Sequence, residues 1–312
     1  MGERAVSAAR AEHSSSSPPP ASSPPPASSS PSPSSPPAPL SSPPSSPPSG
    51  YSPFSSGLPR FFSPTLPQLM GSALRLVGSE ASHMTRSLRL RPGDSAELFD
   101  GQGSIVTVRL ESIDRQQGLV LIATEASRKV PFFGPQWTVV AACGTLKGGR
   151  SDWLIEKCTE LGARAFIPLV TERSGGKGEG RVDRWERVAL AAAKQSQSLH
   201  RPLIHDFTSV SGLAKQIQQS PIALLGAPNS PPLLAALGAV DPSLVQRGGL
   251  LIVGPEGDFT PSELEALVAA GAQPVSLGLQ RLRVETAAVA MLAGVSLVAH
   301  SLLEQVELHG NQ

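Results

Sequence analysis

The segment Gly249–Ala299 constrains the fold most, because its apolar runs and breakers follow the spacing of strand, loop, helix, strand, loop and apolar helix. Gly249-Leu250-Leu251-Ile252-Val253 is a short continuous apolar run, which suits a strand covered on both faces. Thr260-Pro261-Ser262-Glu263 then supplies a capping box, with Thr260 as N-cap, Pro261 at the first helical position and Glu263 reaching back to the cap. Between them, Gly254-Pro255-Glu256-Gly257-Asp258-Phe259 carries two glycines that let a backbone approach a ligand closely. Loops at the carboxyl ends of parallel strands are where α/β sheets bind ligands, although an ordinary strand-to-helix turn is the commoner meaning of such a loop by itself. A second loop follows the short buried strand Val275-Ser276-Leu277-Gly278: Leu279-Gln280-Arg281-Leu282-Arg283-Val284, after which Glu285-Thr286 opens an apolar helix expected to reach about Leu303.

The region before this segment has the same alternating period back to Trp137. Thr138–Cys143 reads as a buried strand and Gly144–Arg150 as a loop. A helix capped by Ser151 or Asp152 follows, with Leu154, Cys158 and Leu161 on its core face and Glu156, Lys157 and Glu160 away from it. Ala165–Val170 reads as a strand, Trp185–Gln197 and Val210–Gln218 as helices, and Ile222–Leu225 as a strand ending in a third loop, Gly226-Ala227-Pro228. Alternating strands and helices imply an α/β domain with a mainly parallel sheet over 131–312. Gly175–Arg181 is a glycine-containing basic loop that could close over RNA, a mobile surface loop being the commoner fate of such a sequence.

Residues 58–130 are different. Ser95–Phe99, Ser104–Ser112 and Gly118–Thr124 are short strands joined by hairpin signals such as Asp100-Gly101, with no helix between them. Arg60-Phe61-Phe62 reads as an edge strand, and His83–Arg91, where Leu88 and Leu90 alternate with Arg89 and Arg91, as a half-buried strand with a basic outer face. Several short strands together imply a small β-barrel.

The first 57 residues form a leader. From Ser14 to Ser49, 32 of 36 residues are Ser or Pro, which leaves too little apolar surface to offset the entropy of folding, so disorder is expected. A Ser-rich, acid-poor leader suits an organelle transit peptide. Its proline content favours a chloroplast over a mitochondrion, with a plain disordered tail as the other reading.

Several classes drop out. Cys143 and Cys158 make neither a disulfide framework nor a zinc pattern, so no metal is expected and both read as packing residues. The nearly all-apolar run Ala287–Ala299 is shorter than the roughly 20 residues that span a bilayer, so a buried helix is expected and no membrane. No GxGxxG follows a first strand, which argues against a dinucleotide-binding fold. A net charge of +1 confines any RNA contact to local patches.

The pair GPEGDFTPSE and LGLQRLRVETA resembles the RsmE family of 16S rRNA (uracil-N3)-methyltransferases, within the SPOUT class of knotted S-adenosylmethionine enzymes. The family pattern is close to GPEGGF…E and LGxRILRxETA, so Asp258 stands at the second glycine and Gln280-Arg281 where Arg-Ile is usual. Looser similarity extends from Pro59-Arg60-Phe61-Phe62 through Lys147-Gly148, Glu160-Leu161-Gly162 and Glu172-Arg173-Ser174, so it covers about Pro59–Leu303.

This resemblance implies a C-terminal SPOUT trefoil-knot domain with a parallel sheet, preceded by a PUA-like β-barrel that holds RNA. It further implies methyl transfer from S-adenosylmethionine to N3 of a uridine in small-subunit ribosomal RNA, free or in the assembled subunit. Loss of N3–H needs a base or a stabiliser of the uracil anion. The candidates are Arg283 for the anion and Glu256 or Glu285 for the proton, although Glu285 could equally serve the start of its helix, paired with Arg283. The cofactor set is Leu225, Gly226, Val253, Gly254, Pro255, Glu256, Gly257, Leu277, Gly278 and Leu282. The RNA set is Arg60, Arg86, Arg89, Lys147, Arg150 and Arg173, with Arg91 and Arg109 as further phosphate contacts or merely a solvated strand face. An all-round apolar last helix needs partners on more than one side, and a homodimer supplies one. The competing expectations are a non-catalytic RNA-binding assembly factor and a SPOUT enzyme acting on another RNA.

Overall fold

A computed structural model describes residues 56–114, 117–144, 146, 149–174 and 181–310, with side chains described as far as Leu302. Residues 1–55 of the leader, the loop 175–180 and Lys147, all given roles by the sequence, lie outside the described residues.

Period-two alternation sets the first part. Gly118–Ala123 alternates half-buried and buried residues along its length. The strands are β1 (Arg60–Phe62), β2 (Ala73–Leu76), β3 (Ser95–Phe99), β4 (Ser104–Asp114), β5 (Gly118–Ala123) and β6 (Arg128–Lys129). They pair in the order β1-β3-β4-β5-β2, with β6 on β4. Phe61, Met84, Leu98, Val106, Val108 and Leu121 fill the core between them.

His83–Arg91 is not a strand. Gly78–Ser82 is a short helix, α1, continued by a π-type turn over His83–Ser87. The amide of Leu88 donates to the His83 carbonyl (3.1 Å) and that of Leu90 to the Met84 carbonyl (3.0 Å). Arg89 sits at φ 56°, left-handed backbone that no pleated strand contains. The Leu/Arg alternation marked a helix terminus, and Leu88 is 46% exposed rather than facing a core.

The second part is one parallel sheet. It contains β7 (Thr138–Ala141), β8 (Ala165–Val170), β9 (Leu203–Ile204), β10 (Thr208–Ser209), β11 (Ala223–Gly226), β12 (Leu250–Val253) and β13 (Gln273–Val275). Their order is β10-β8-β7-β12-β11-β13, with β9 beside β8. The helices are α2 (Arg150–Glu160), α3 (Val182–Gln195), α4 (Val210–Ile217), α5 (Leu233–Gly238), α6 (Pro242–Arg247), α7 (Pro261–Ala269) and α8 (Val284–Gly310). One sheet face packs Val139, Phe166, Leu251 and Val253 against α2, α3, α5, α6 and α8. The other packs Val140, Ile167, Leu225 and Ile252 against α4 and α7. The four β12 residues are all buried, as a strand covered on both faces must be.

Helix α2 starts one residue before the expected cap. Gly149, at φ 79°, is the N-cap, and Ser151 and Asp152 lie in the first turn. Leu154 and Cys158 are fully buried, whereas Leu161 is 36% exposed at the C-cap because the helix stops beneath it. Burial pushes the Cys143 thiol up to about 12 and raises that of Cys158 as well, which keeps both protonated as packing groups.

By length and composition, Val284–Leu302 of α8 could cross a membrane. Here it is a core helix with one covered face: Ala288, Met291, Leu292, Val295 and Ala299 are fully buried against α2, α5, α6 and β12. Burial is not all-round as the apolar composition suggested, since Leu297 is 72% exposed.

Candidate active site

The sheet order makes β12, β11 and β13 adjacent parallel strands, so the loops at their carboxyl ends emerge side by side. These are the three loops singled out by their glycines. Hydrogen bonds join two of them: Ala227 donates its amide to the Val275 carbonyl (2.9 Å) and Leu233 to that of Ser276 (2.9 Å).

The loop after β12 owes its glycines to its own packing. A Cβ on Gly254 would stand 2.8 Å from the Phe259 ring, and one on Gly257 would stand 3.3 Å from the Arg173 side chain. Phe259 is in turn buried with Leu225, Ile252 and Leu267. On their Cβ sides, then, these glycines admit Phe259 and Arg173 rather than the ligand expected from sequence. Asp258 adopts φ 66°, and its Oδ1 accepts the Phe259 amide (3.0 Å).

Two arginines from neighbouring loops hold this loop by its carbonyls. Arg173 Nη1 donates to Gly257 O (2.7 Å) and Phe259 O (3.4 Å), and Arg281 Nη2 donates to Glu256 O (2.8 Å). Arg173 was expected on RNA phosphates. Its guanidinium is a tether: the Gly257 and Phe259 carbonyls accept from it, as the Glu256 carbonyl accepts from Arg281.

The cofactor set is brought together with one correction. Val253 and Leu277 belong to the α8 side of the sheet, Leu282 is half-buried, and Gly226, Pro255 and Glu256 complete the rim. Gly278 has φ 117° with open space where a side chain would be, a position that only glycine takes without strain. Leu225 instead points through the sheet into the α4/α7 cluster, because alternate strand residues face opposite ways. Only its backbone reaches the site.

The charged residues form a chain across the loops. Arg150, the first residue of α2, places Nη1 3.5 Å from Glu256 Oε1 and 3.6 Å from Glu285 Oε1. Sequence put Arg150 on a phosphate; the fold seats it between two carboxylates instead. The Glu285 side chain is 8% exposed, and its Oε2 is buried without a hydrogen-bond partner among the described residues. Arg283 is exposed beside it. Among the described residues, no group of three His, Cys, Asp or Glu could hold a metal ion.

Of the remaining RNA candidates, Arg60 is excluded by burial. Its side chain is 6% exposed, pairs with Glu97 and donates to the Gln197 carbonyl (2.6 Å), because it closes the contact between β1 and the end of α3. Arg86, Arg89 and Arg91 are exposed around the π-type turn, and Arg109 pairs with Glu111 at 3.4 Å. The bridge made by Arg150, the Phe259 ring against Gly254 and the left-handed Asp258 were not read from sequence. Only the last had a visible signal, since Asp258 stands where the family pattern has glycine.

Residues 134–296 match a family described as an RNA methyltransferase domain, and residues 76–123 one described as an RNA methyltransferase PUA domain. The chain is 32% identical over 231 residues to ribosomal RNA small subunit methyltransferase E of Bacillus subtilis (strain 168), covering 71% of this chain and 88% of that protein. The Mycobacterium bovis protein of the same name is 34% identical over 244 residues, covering 76% and 91%. Among solved structures, that of a Neisseria gonorrhoeae ribosomal RNA small subunit methyltransferase E bound to S-adenosyl methionine superposes with a TM-score of 0.63 at 26% identity, covering 77% of this chain and 98% of that one.

Proposed function

The chain belongs to the ribosomal RNA small subunit methyltransferase E family, and on that premise we propose that it transfers the methyl group of S-adenosylmethionine to N3 of a uridine in small-subunit ribosomal RNA. The observation that carries this reading is the convergence of three loops at the carboxyl ends of adjacent strands β12, β11 and β13, with Glu256, Glu285 and Arg150 linked across them.

The residues suit S-adenosylmethionine. Backbone groups around Gly226, Gly254–Glu256 and Leu277–Gly278 would hold an adenine edge, Leu277 and Leu282 would flank its ring, and the two carboxylates favour a cationic sulfonium nearby. When bound, this group supplies an electrophilic methyl carbon. Glu256, with its side chain 41% exposed, is the carboxylate that can take the N3 proton or orient the base. Glu285, with Oε2 shut off from solvent, is suited to bracing its neighbours. The uridine must be splayed out to offer N3, and exposed Arg86, Arg89 and Arg91 would hold flanking phosphates on the β-rich side. Asp258 does not favour a non-catalytic factor, since it takes the left-handed backbone that a glycine there would take.

The test is incubation of the chain from residue 58 with S-adenosylmethionine and unmodified bacterial-type small subunits, followed by nucleoside mass spectrometry. Formation of 3-methyluridine is expected; methylation confined to another nucleoside or another RNA would refute the assignment. Two finer readings go with it. The exposed side of α8 around Leu297 favours a homodimer, for which sedimentation must give twice the monomer mass. The Ser/Pro leader favours a chloroplast destination over a mitochondrion, read by fusing residues 1–57 to a fluorescent protein.

A further inference from the structure

We propose that Arg150 is a catalytic residue of this reaction: its guanidinium contacts the target uracil and stabilises the N3 anion, while Glu256 and Glu285 act on Arg150 to fix it in place. This rests on the uracil-N3 reading. Arg150 comes from the β7–α2 junction, yet one of its nitrogens lies within 3.6 Å of carboxylates on two other elements, Glu256 in the loop after β12 and Glu285 in the first turn of α8. Glu256 lies on the loop after β12 and Glu285 directly follows the loop after β13, so Arg150 bridges two of the three loops read as the cofactor site.

Exposure separates the roles. Glu285 is 8% exposed with Oε2 sealed from solvent, so it meets a base only after its neighbours move. Arg150 is 33% exposed, reachable by a base while still braced. Arg283 is exposed and has no ion-pair partner among the described residues, so ordering it over an anion costs side-chain entropy that Arg150 has already lost on folding. A charge stabiliser is effective when it is in position before charge develops. A planar guanidinium also suits an anion spread over N3 and its two flanking carbonyl oxygens, O2 and O4.

The step balances. The N3 proton leaves to Glu256 or water, the N3 lone pair forms the bond to the methyl carbon, and the C–S bond breaks with its electrons returning to sulfur. Arg150 keeps its protons throughout.

The experiment compares Arg150→Met and Arg150→Lys with the unaltered chain. It measures kcat and KM for small subunits, and S-adenosylmethionine affinity by calorimetry. For Arg150→Met, kcat is expected to fall about 100-fold or more, the loss typical of one removed anion-stabilising donor. KM and cofactor affinity should stay within about threefold, and Arg150→Lys should recover part of the loss. Subunits carrying 5-fluorouridine give the sharper readout: fluorine stabilises the anion itself, so the Arg150→Met defect should be smaller on them than on ordinary subunits. An unchanged kcat with raised KM, the signature of a phosphate contact, would overturn the proposal, as would an equal defect on fluorinated RNA. Arg150→Met strands a buried carboxylate and can unfold the chain. The double variant Arg150→Met/Glu285→Gln removes both charges and must keep the kcat loss; recovery there would also overturn it. If the unaltered chain makes no 3-methyluridine, the parent reading fails too, whereas product with an indifferent Arg150 sinks this proposal alone.

Discussion

Asp258 occupies left-handed backbone at φ 66°, which an L-residue adopts at a cost of about 1 kcal/mol unless, like Asp or Asn, it can bond to its own backbone. The bond from the Phe259 amide to Asp258 Oδ1 supplies that compensation. Alanine has the steric cost without the bond, and glycine has neither. Asp258→Ala should therefore lower unfolding stability by about 1 kcal/mol, while Asp258→Gly stays within about 0.5 kcal/mol because relieved strain and lost chain stiffness oppose each other. Equal denaturant midpoints for Asp258→Ala and the unaltered chain would show that the left-handed conformation carries no such cost. The same residue explains how a departure from the family's glycine leaves the loop intact. Arg281 answers a similar question: standing one place beyond the usual arginine, it reaches back to the Glu256 carbonyl and ties the second loop to the first.

At the scale of elements, the cap of α7 does more than begin a helix. Thr260 and Glu263 form the capping box read from sequence, with Glu263 Oε2 accepting the Thr260 amide at 2.9 Å. The other carboxylate oxygen, Oε1, accepts the Glu172 amide at 2.8 Å, and so ties the loop after β8 to the helix that follows the glycine loop. Burial opposes the charged form of Glu263, but the Thr260 and Glu172 amides outweigh it and hold its carboxyl below the ordinary 4.5. Because the folded value is depressed, this stability is fully present above the unfolded value and is lost as pH falls through the folded one. Glu263→Gln should unfold at lower denaturant at pH 7, and the gap should close as pH drops below about 4.5; a gap that persists in acid would assign the effect to shape alone. The box was legible because it is local in sequence, as were the apolar run of β12 and the edges of β3. Helix α6 was legible and overlooked, since Asp241-Pro242 is a cap followed by proline at the first helical position. What no spacing reveals is a contact between distant segments: Arg150 on two carboxylates, Arg173 on a loop more than 80 residues away, or Phe259 filling the place of a Gly254 side chain. The error at His83–Arg91 had another source, for a two-residue alternation also occurs where a helix ends.

At the scale of the whole molecule, the β-rich part and the α/β part meet in an ordered joint. Phe99, Ile105, Val130 and Leu199 form an apolar cluster across it, with Phe62 and Phe133 packed alongside. Gly103 donates its amide to the Leu199 carbonyl (2.9 Å), Arg201 donates to Gly101 O (2.9 Å), and Lys194 pairs with Glu80. His200 lies at the centre. Its ring meets Phe132 edge-on and approaches Gly103 so closely that a Cβ there would stand 2.3 Å from Nε2, leaving room for no residue but glycine. It also borders a cavity of about 350 Å³ lined by residues 131–135, the ends of α2 and α3, and Ser296. Burial, and then the positive charges of Arg164 and Lys129, lower the His200 pKa to about 4, against an ordinary 6.5. Between those values the unfolded chain binds a proton that the folded chain refuses, so the contribution of His200 is complete above about 6.5 and declines towards about 4. Acid should therefore loosen the joint that fixes the exposed arginines of the β-rich part relative to the loops after β11, β12 and β13. The measurement is the melting temperature of the unaltered chain and of His200→Gln from pH 7 to 4.5, with hydrogen exchange followed at the Gly103 and Arg201 amides. The unaltered chain should lose more melting temperature than the variant over that range and gain exchange at both amides; parallel profiles would show that His200 does not couple the joint to pH.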